Sequence, residues 1–194
     1  MSGIVLLGRV EITIRAATAR DLEAIGRLGT LLVRTHHQFD PKRFMPTQPG
    51  MEQGYASFIG TQLADPDAVV LVAERDGAVA GYLYGSLEAR DWMSLRDAAG
   101  VIHDIIVDPA ERGVGIGREL LEAGLAWLRE HGAPRAVLST AQRNEAAQRL
   151  FASVGFRPTM IEMTRELTDS GGQSRLNQVS NDPDPVRKSS GNGD

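Results

Sequence analysis

The feature that most constrains this chain is a glycine-rich turn between a strand-like run and an amphipathic helix. The turn covers residues 112–118 with the sequence RGVGIGR, and the apolar run before it, 101–107, is closed by Asp-Pro. In such a succession the first N–H groups of the helix point outward, and the helix dipole favours an anion there. Glycines let the main chain approach the anion closely, and Arg112 and Arg118 can add charge-assisted hydrogen bonds. The turn is therefore predicted to bind phosphate groups.

The spacing of the glycines distinguishes three kinds of phosphate-binding turn. A P-loop requires Lys followed by Ser or Thr after its last glycine, and this turn has neither. A dinucleotide-binding turn requires G-x-G-x-x-G, whereas Gly113, Gly115 and Gly117 are two residues apart each time. The remaining pattern, R-x-x-G-x-G at the start of a helix, is matched fully by Arg112, Gly115 and Gly117.

A second pattern lies downstream of the turn. It has the form N-x-x-A-x-x-L-[YF]-x-x-x-G-F and is matched by Asn144, Ala147, Leu150–Phe151 and Gly155–Phe156. With both patterns the chain resembles the GNAT family of N-acetyltransferases, which use acetyl-CoA. The resemblance is specific over residues 101–167 and rests upstream on the order of the predicted elements alone.

The resemblance implies an acetyl-CoA site in three parts. The first is the turn, where Arg112 takes the family's Gln/Arg position and Gly113 lies within the loop. The N–H groups that are expected to face the CoA pyrophosphate belong to Val114, Gly115, Ile116, Gly117 and Arg118. The second is the strand end Ile105–Ile106–Val107, which would pair with the pantetheine arm. The third is Asn144, as helix cap and pantetheine contact. Each part has an alternative interpretation. The turn can be a tight turn that binds no ligand, the strand end an ordinary buried strand, and Asn144 a helix cap with no CoA contact.

The predicted general base is His103, because histidine is the residue type suited to accept a proton near neutral pH and an ammonium must lose a proton before its nitrogen attacks a thioester. The serotonin N-acetyltransferases, a branch of the GNAT family, are similar in having His at the equivalent strand position. Strand periodicity predicts that His103 shares a face with Ile105 and Val107, and that Asp104 lies on the other face. Asp104 is the second candidate base. The alternatives are a hydrogen-bonded core histidine and an aspartate that forms a salt bridge or anchors a loop.

Phe151 departs from the family pattern. Many family members have Tyr at this position, close to the CoA sulfur, where its hydroxyl can protonate the leaving thiolate. Phe151 has no hydroxyl, so another group or water must supply the proton; the other hydroxyl-bearing candidates are Tyr82, Tyr84 and Ser139. The departure keeps open the alternative of a CoA-binding sensor or interaction module that does not catalyse.

Hydrophobic periodicity predicts a mixed α/β fold. Strands are predicted over 10–15, 68–74, 78–87, 101–107, 135–140 and 156–167, and helices over 51–63 and after Thr18, Gly115 and Asn144, with loops over 36–50 and 88–100. This order matches the GNAT acyl-CoA N-acyltransferase fold, which implies a central, mostly antiparallel, splayed sheet flanked by helices. Residues 1–167 are expected to form a single acetyltransferase domain. Residues 168–194 are rich in Ser, Gly, Asn, Asp and Pro and are expected to form a disordered tail.

The composition narrows the class of function. A net charge of −4 gives no general reason to bind nucleic acid or an anionic membrane, and it suits a cationic acceptor. The absence of cysteine excludes thiol catalysis and cysteine–metal sites, and no zinc-helix spacing is present, so no metal is predicted. Residues 4–7 are too short an apolar run for a signal peptide or a spanning helix, so a cytoplasmic location is expected.

The sequence therefore predicts an N-acetyltransferase that passes the acetyl group of acetyl-CoA directly to an amine. A small-molecule amine is favoured over a protein as acceptor, and the residues do not decide whether the chain forms a homodimer. Neither a metal nor a covalent enzyme intermediate is required for this reaction.

Overall fold

The computed structural model describes residues 12–167 of the 194-residue chain, and the predicted tail over 168–194 lies outside them. In chain order the elements are β1 (Ile12–Ala16), α1 (Leu22–Phe39), α2 (Met51–Gln62), β2 (Ala68–Arg75), β3 (Ala78–Glu88), β4 (Ala99–Val107), α3 (Ile116–Glu130), β5 (Ala136–Leu138) and α4 (Glu145–Ser153). Short 3₁₀ turns at Ala19–Asp21 and Pro109–Glu111 precede α1 and α3. Most of these elements lie within a few residues of their predicted bounds.

The five strands form one sheet in the order β1-β2-β3-β4-β5. The pairs from β1 to β4 are antiparallel, whereas β5 runs parallel to β4. This pairing is short, since β5 meets β4 only from Gly100 to Ile102. The predicted mixed α/β fold with a mostly antiparallel sheet is therefore confirmed, and the second half of β4 has no strand partner on its β5 side within residues 12–167.

Helices cover both faces of the sheet. On one face, α1 and α2 bury Ile25, Leu28 and Ile59 against strand residues that include Val72, Tyr82 and Ile106. On the other face, α3 and α4 bury Leu120, Leu121 and Phe151 against strand residues that include Leu83 and Ile102. The sheet thus separates an α1/α2 face from an α3/α4 face, and a strand residue belongs to one or the other.

A two-residue hairpin at Asp76–Gly77 joins β2 to β3. Both residues are left-handed, with φ of 52° and 77°, which is the backbone that two-residue hairpins require. Glycine adopts this conformation without strain, and Asp tolerates it better than most residues. The tight turn fixes the register of β3, which carries four of the polar side chains described below.

Two predictions of local structure are wrong. The loop expected from residue 36 begins later, because α1 continues to Phe39 and carries both His36 and His37. Both imidazoles donate to backbone carbonyls, His36 Nδ1 to Leu32 O and His37 Nδ1 to Phe44 O, which favours the longer helix and orders its end. The strand or strand pair expected over 156–167 is not formed, since no residue of that range is in a strand.

Candidate active site

The glycine-rich turn opens α3 and exposes unpaired backbone donors. Gly113 and Gly115 are left-handed, with φ of 86° and 100°, and Gly115 is the residue that precedes the helix. A Cβ added at either glycine would meet nothing within 4 Å, so the space over the turn is open. In the described part of the chain, the N–H groups of Val114, Gly115, Ile116 and Gly117 have no acceptor. These four donors, at the positive end of a helix dipole, fit an anion.

Arg118 is engaged within the protein. Its backbone N–H donates to Gly115 O at 2.9 Å, so it is used inside the first turn of α3. Its guanidinium donates to Glu122 at 3.1 Å and to Ser153 Oγ at 2.8 Å, and thereby joins α3 to α4. The contact with CoA expected of Arg118 stays a prediction.

The second half of β4 presents free backbone groups. Asp108 N–H donates to Ala80 O of β3 at 2.8 Å, so by strand alternation the N–H and C=O groups of Ile105 and Val107 point away from β3. No described strand pairs with β4 there, and Val107 O instead accepts from Arg112 Nε at 3.1 Å. Arg112 thereby connects the end of β4 to the phosphate turn. This free edge has the form that an extended amide chain needs for strand addition.

A β-bulge interrupts β4 at His103. Tyr84 of β3 lies opposite Asp104, and the next residue of β3, Gly85, lies opposite Ile102. His103 is therefore the extra residue of the bulge and has no partner on β3. A bulge shifts the alternation of every residue beyond it by one position.

The bulge overturns the predicted assignment of faces. His103 stacks on Tyr84 of the α1/α2 face, with ring centroids 4.8 Å apart, whereas Ile105 and Val107 pack against the α3/α4 face. Ile106, like Asp104, lies on the α1/α2 face. His103 and Asp104 are thus neighbours in sequence whose side chains lie on the same side of the sheet.

The His103 ring is accessible and oriented by polar partners. Its side chain is 32% exposed, so His103 is not the core histidine that was the alternative. Its Nε2 lies 2.8 Å from Ser86 Oγ and 3.3 Å from Glu88 Oε1. Glu88 in turn forms a salt bridge with Arg96. With Nε2 held by these oxygens, Nδ1 is the nitrogen that can receive a proton.

Asp104 lies deeper, between two tyrosine hydroxyls. Tyr55 of α2 and Tyr82 of β3 both donate to Asp104 Oδ2, Tyr82 at 3.0 Å. Burial raises the pKa of Asp104 above its ordinary value, while the tyrosine hydrogen bonds and the nearby His103 and His36 act in the opposite direction. Burial likewise raises the pKa of both tyrosines, which stay protonated and act as donors. The salt bridge considered for Asp104 is not formed.

The remaining predicted residues lie on α4. Asn144 caps the helix, since its Oδ1 accepts from Ala147 N–H at 3.2 Å, and its side-chain NH₂ has no acceptor among the described residues. Phe151 is 6% exposed and belongs to the core of the α3/α4 face, in edge contact with Phe156. The CoA contacts expected of Asn144 and Phe151 stay predictions.

Sequence reasoning missed three partners of His103 and Asp104, namely Ser86, Glu88 and Tyr55. Glu88 could have been found, because Tyr82, Tyr84, Ser86 and Glu88 alternate along β3 and therefore share one face. Tyr55 gave no local signal, since α2 is a helix whose orientation depends on its packing against α1. Among residues 12–167 no three His, Asp or Glu side chains come together as a metal site would require, and no helix there is long and apolar enough to cross a membrane.

The sequence and the fold match a known family of enzymes. The model of the acetyltransferase (GNAT) family matches residues 31–156 of the chain. That range contains the phosphate turn, the bulged strand and α4. The chain therefore belongs to the GNAT family.

Curated relatives match about half of this chain. Mycothiol acetyltransferase of Nocardiopsis dassonvillei is 40% identical over 94 residues, which is 47% of this chain and 28% of the relative. Mycothiol acetyltransferase of Thermobispora bispora is 39% identical over 99 residues, 51% of this chain and 33% of the relative. The chain thus spans about a third of the length of these relatives.

Solved structures confirm the fold at lower identity. A mutant protein from Bacillus halodurans superposes with a TM-score of 0.70 at 24% identity, over 80% of this chain and 99% of that one. An aminoglycoside N-acetyltransferase in complex with CoA superposes with a TM-score of 0.64 at 18% identity, over 84% of this chain and 100% of that one.

Proposed function

We propose that the chain transfers the acetyl group of acetyl-CoA to the nitrogen of a small-molecule amine. The observation that carries the proposal is the bulge in β4, which places His103 on the α1/α2 face while the free backbone edge beside it leads to the phosphate turn. The names of the relatives, mycothiol acetyltransferase and aminoglycoside N-acetyltransferase, support a small molecule over a protein as acceptor.

The residues present fit acetyl-CoA, which supplies an acetyl group activated as a thioester. The four unpaired N–H groups over 114–117 would hold the pyrophosphate at the positive end of α3. The free edge of β4 at Ile105 and Val107 would pair with the amides of pantetheine, and the free NH₂ of Asn144 can donate to the same arm. The N–H of Ile105 on this edge is suited to stabilise negative charge that develops on the acetyl oxygen.

His103 is the proposed base. Its Nε2 is occupied by Ser86 and Glu88, which leaves the Nδ1 lone pair for the amine proton. A neutral imidazole accepts this proton near neutral pH, and the carboxylate of Glu88 stabilises the imidazolium that results. Asp104 is a poorer base for the same proton because two tyrosine hydroxyls already donate to it.

Replacing His103 tests its role. His103→Ala is expected to lower kcat by roughly a hundredfold while calorimetry shows unchanged CoA affinity. The matched control is His131→Ala, because His131 lies beyond the end of α3 and stacks only on Trp127. Unchanged turnover and pH profile in His103→Ala would remove His103 from the mechanism.

A second variant tests the phosphate turn. Gly115→Val places a branched side chain at a φ of 100°, in the space over the turn, and is expected to abolish CoA binding measured by calorimetry. Circular dichroism establishes that the variant is folded. If wild type binds CoA but releases none from acetyl-CoA with any amine, the non-catalytic CoA-binding module is the correct reading.

A further inference from the structure

The carboxylate of Asp104 accepts hydrogen bonds from the described residues on one of its two oxygens only. Both tyrosine hydroxyls donate to Oδ2, and they also contact each other at 3.2 Å, so Oδ2 is saturated. Oδ1 has no donor within residues 12–167, and Asp104 forms no ion pair with any lysine or arginine of that range. A half-buried carboxylate with neutral donors on one oxygen and none on the other lacks a counter-charge.

The geometry points to a subsite in which Asp104 Oδ1 binds the acceptor nitrogen as an ammonium, beside His103. This inference rests on the proposed acetyl transfer and names the acceptor class, which is primary alkylamines that are protonated at neutral pH. Alcohols and weakly basic aromatic amines carry no charge there and fall outside the class. Since no lysine or arginine of residues 12–167 pairs with Asp104, an incoming ammonium would supply the missing charge.

The arrangement also assigns the protons. The ammonium R–NH₃⁺ donates one hydrogen bond to Asp104 Oδ1 and gives one proton to His103 Nδ1, which later releases it to water. The neutral nitrogen then forms a bond to the acetyl carbon as the carbon–sulfur bond breaks, and its second proton ends on the CoA sulfur. The product amide is uncharged, so it loses the ionic attraction to Asp104 and can leave.

Tyr55 is the positioning residue of this subsite. Its ring packs directly on α1 at Gly29, where an added Cβ would lie 2.3 Å from Tyr55 Cδ1. This contact holds the hydroxyl on Oδ2, and Oδ1 has no donor among residues 12–167. Since hydrogen bonds to a charged group are stronger than those between neutral groups, loss of the Tyr55 hydroxyl should lower amine affinity measurably.

The test is an NMR titration of the CoA complex, in which no acetyl group is present and turnover cannot occur. The probes are 2-phenylethylamine and 2-phenylethanol, which have similar shape but differ in charge. Wild type should bind the amine at least about tenfold more tightly than the alcohol, which corresponds to about 1.4 kcal/mol. Asp104→Asn should abolish this preference, and Tyr55→Phe should reduce it several-fold. CoA affinity should be unchanged in both variants.

The control is Asp67→Asn, which removes the same charge from an exposed loop residue before β2 and should keep the preference. Equal binding of amine and alcohol to wild type, no amine binding below about 100 mM, or a preference that survives in Asp104→Asn would overturn the inference. If Asp104→Asn does not fold, the test depends on Tyr55→Phe. A preference for amine over alcohol that is unchanged in Tyr55→Phe would then overturn the inference. Because the titration needs no acetyl transfer, a positive result with an inactive protein would contradict the proposed function and leave the ammonium subsite standing.

Discussion

Gly29→Ala should destabilise the protein even though it replaces glycine by a better helix former. Gly29 lies in the middle of α1, and the Tyr55 ring of α2 occupies the place of its missing side chain. The added Cβ would lie 2.3, 2.4 and 2.6 Å from three ring carbons of Tyr55. The ring must therefore move by more than about 1 Å to reach an ordinary carbon–carbon separation of about 3.5 Å.

Two opposing effects set the magnitude. Alanine in a helix interior is favoured over glycine by about 1 kcal/mol. Overpacking of a tightly packed contact costs about 1–3 kcal/mol, and a clash on an aromatic ring packed between two helices belongs at the upper end. The net loss in free energy of unfolding is about 1–2 kcal/mol, which lowers Tm by about 2–8 °C for a domain of this size.

The assay compares urea denaturation of wild type, Gly29→Ala and the control Gly54→Ala. Gly54 lies in α2, and a Cβ there would meet nothing within 4 Å, so this variant should gain about 0.5–1 kcal/mol. Because Tyr55 must move in Gly29→Ala, this variant should also bind the amine more weakly than wild type, as expected for Tyr55→Phe. If Gly29→Ala is as stable as Gly54→Ala, the packing of Tyr55 on α1 described above is wrong.

Two further predictions concern the packing around the sheet. Hydrogen bonding to Arg15 holds the pKa of Asp21 below its usual value, so Asp21→Asn should cost about 2 kcal/mol at pH 7, a figure discounted because Arg15 is partly exposed. The difference from wild type should be the same at pH 7 and 5 and should begin to shrink only below about 3.9, the ordinary pKa of Asp in the unfolded chain, so denaturation at pH 7, 5 and 2.5 should give a smaller difference at pH 2.5 alone. Phe151→Tyr should lower the free energy of unfolding by about 1–3 kcal/mol, because the added hydroxyl enters an apolar core. The same variant should leave turnover unchanged. A rise in turnover, with a changed alkaline limb of the pH–rate profile, would instead indicate that this position lies beside the CoA sulfur.

The features that could be predicted from the sequence are those set by local chemistry. The glycine turn, the Asp76–Gly77 hairpin and the Asn144 cap each depend on a few adjacent residues with restricted backbone or capping preferences. The hydrophobic periodicity of α3 and of β2 was sufficient to place those elements. For the same reason the phosphate-binding half of the candidate site was predicted more fully than the acceptor half.

The features that could not be predicted depend on tertiary contacts. Arg118 was expected over the turn, but its partner Ser153 is 35 residues away and became a neighbour only through packing of α4 on α3. Tyr55 is 49 residues from Asp104 and reaches it because Gly29 lets α2 pack closely on α1. Neither contact leaves a periodic or local signal in the sequence.

The bulge at His103 explains how one strand could serve both substrates of the proposed reaction. A regular strand would have placed Asp104 on the face opposite His103, away from the proposed base. With one extra residue, His103 and Asp104 share the acceptor side, while Ile105 and Val107 keep their side chains in the α3/α4 core and their backbone groups on the free edge. In the proposed reaction, this shift separates the residues that would handle the amine from the backbone that would hold the acetyl donor. Deleting His103, in contrast to replacing it, should remove the bulge, because Ile102 and Asp104 already lie opposite the adjacent residues Gly85 and Tyr84. Ile105 and Val107 would keep their faces, so we expect the deletion to preserve the fold and to lower turnover as His103→Ala does.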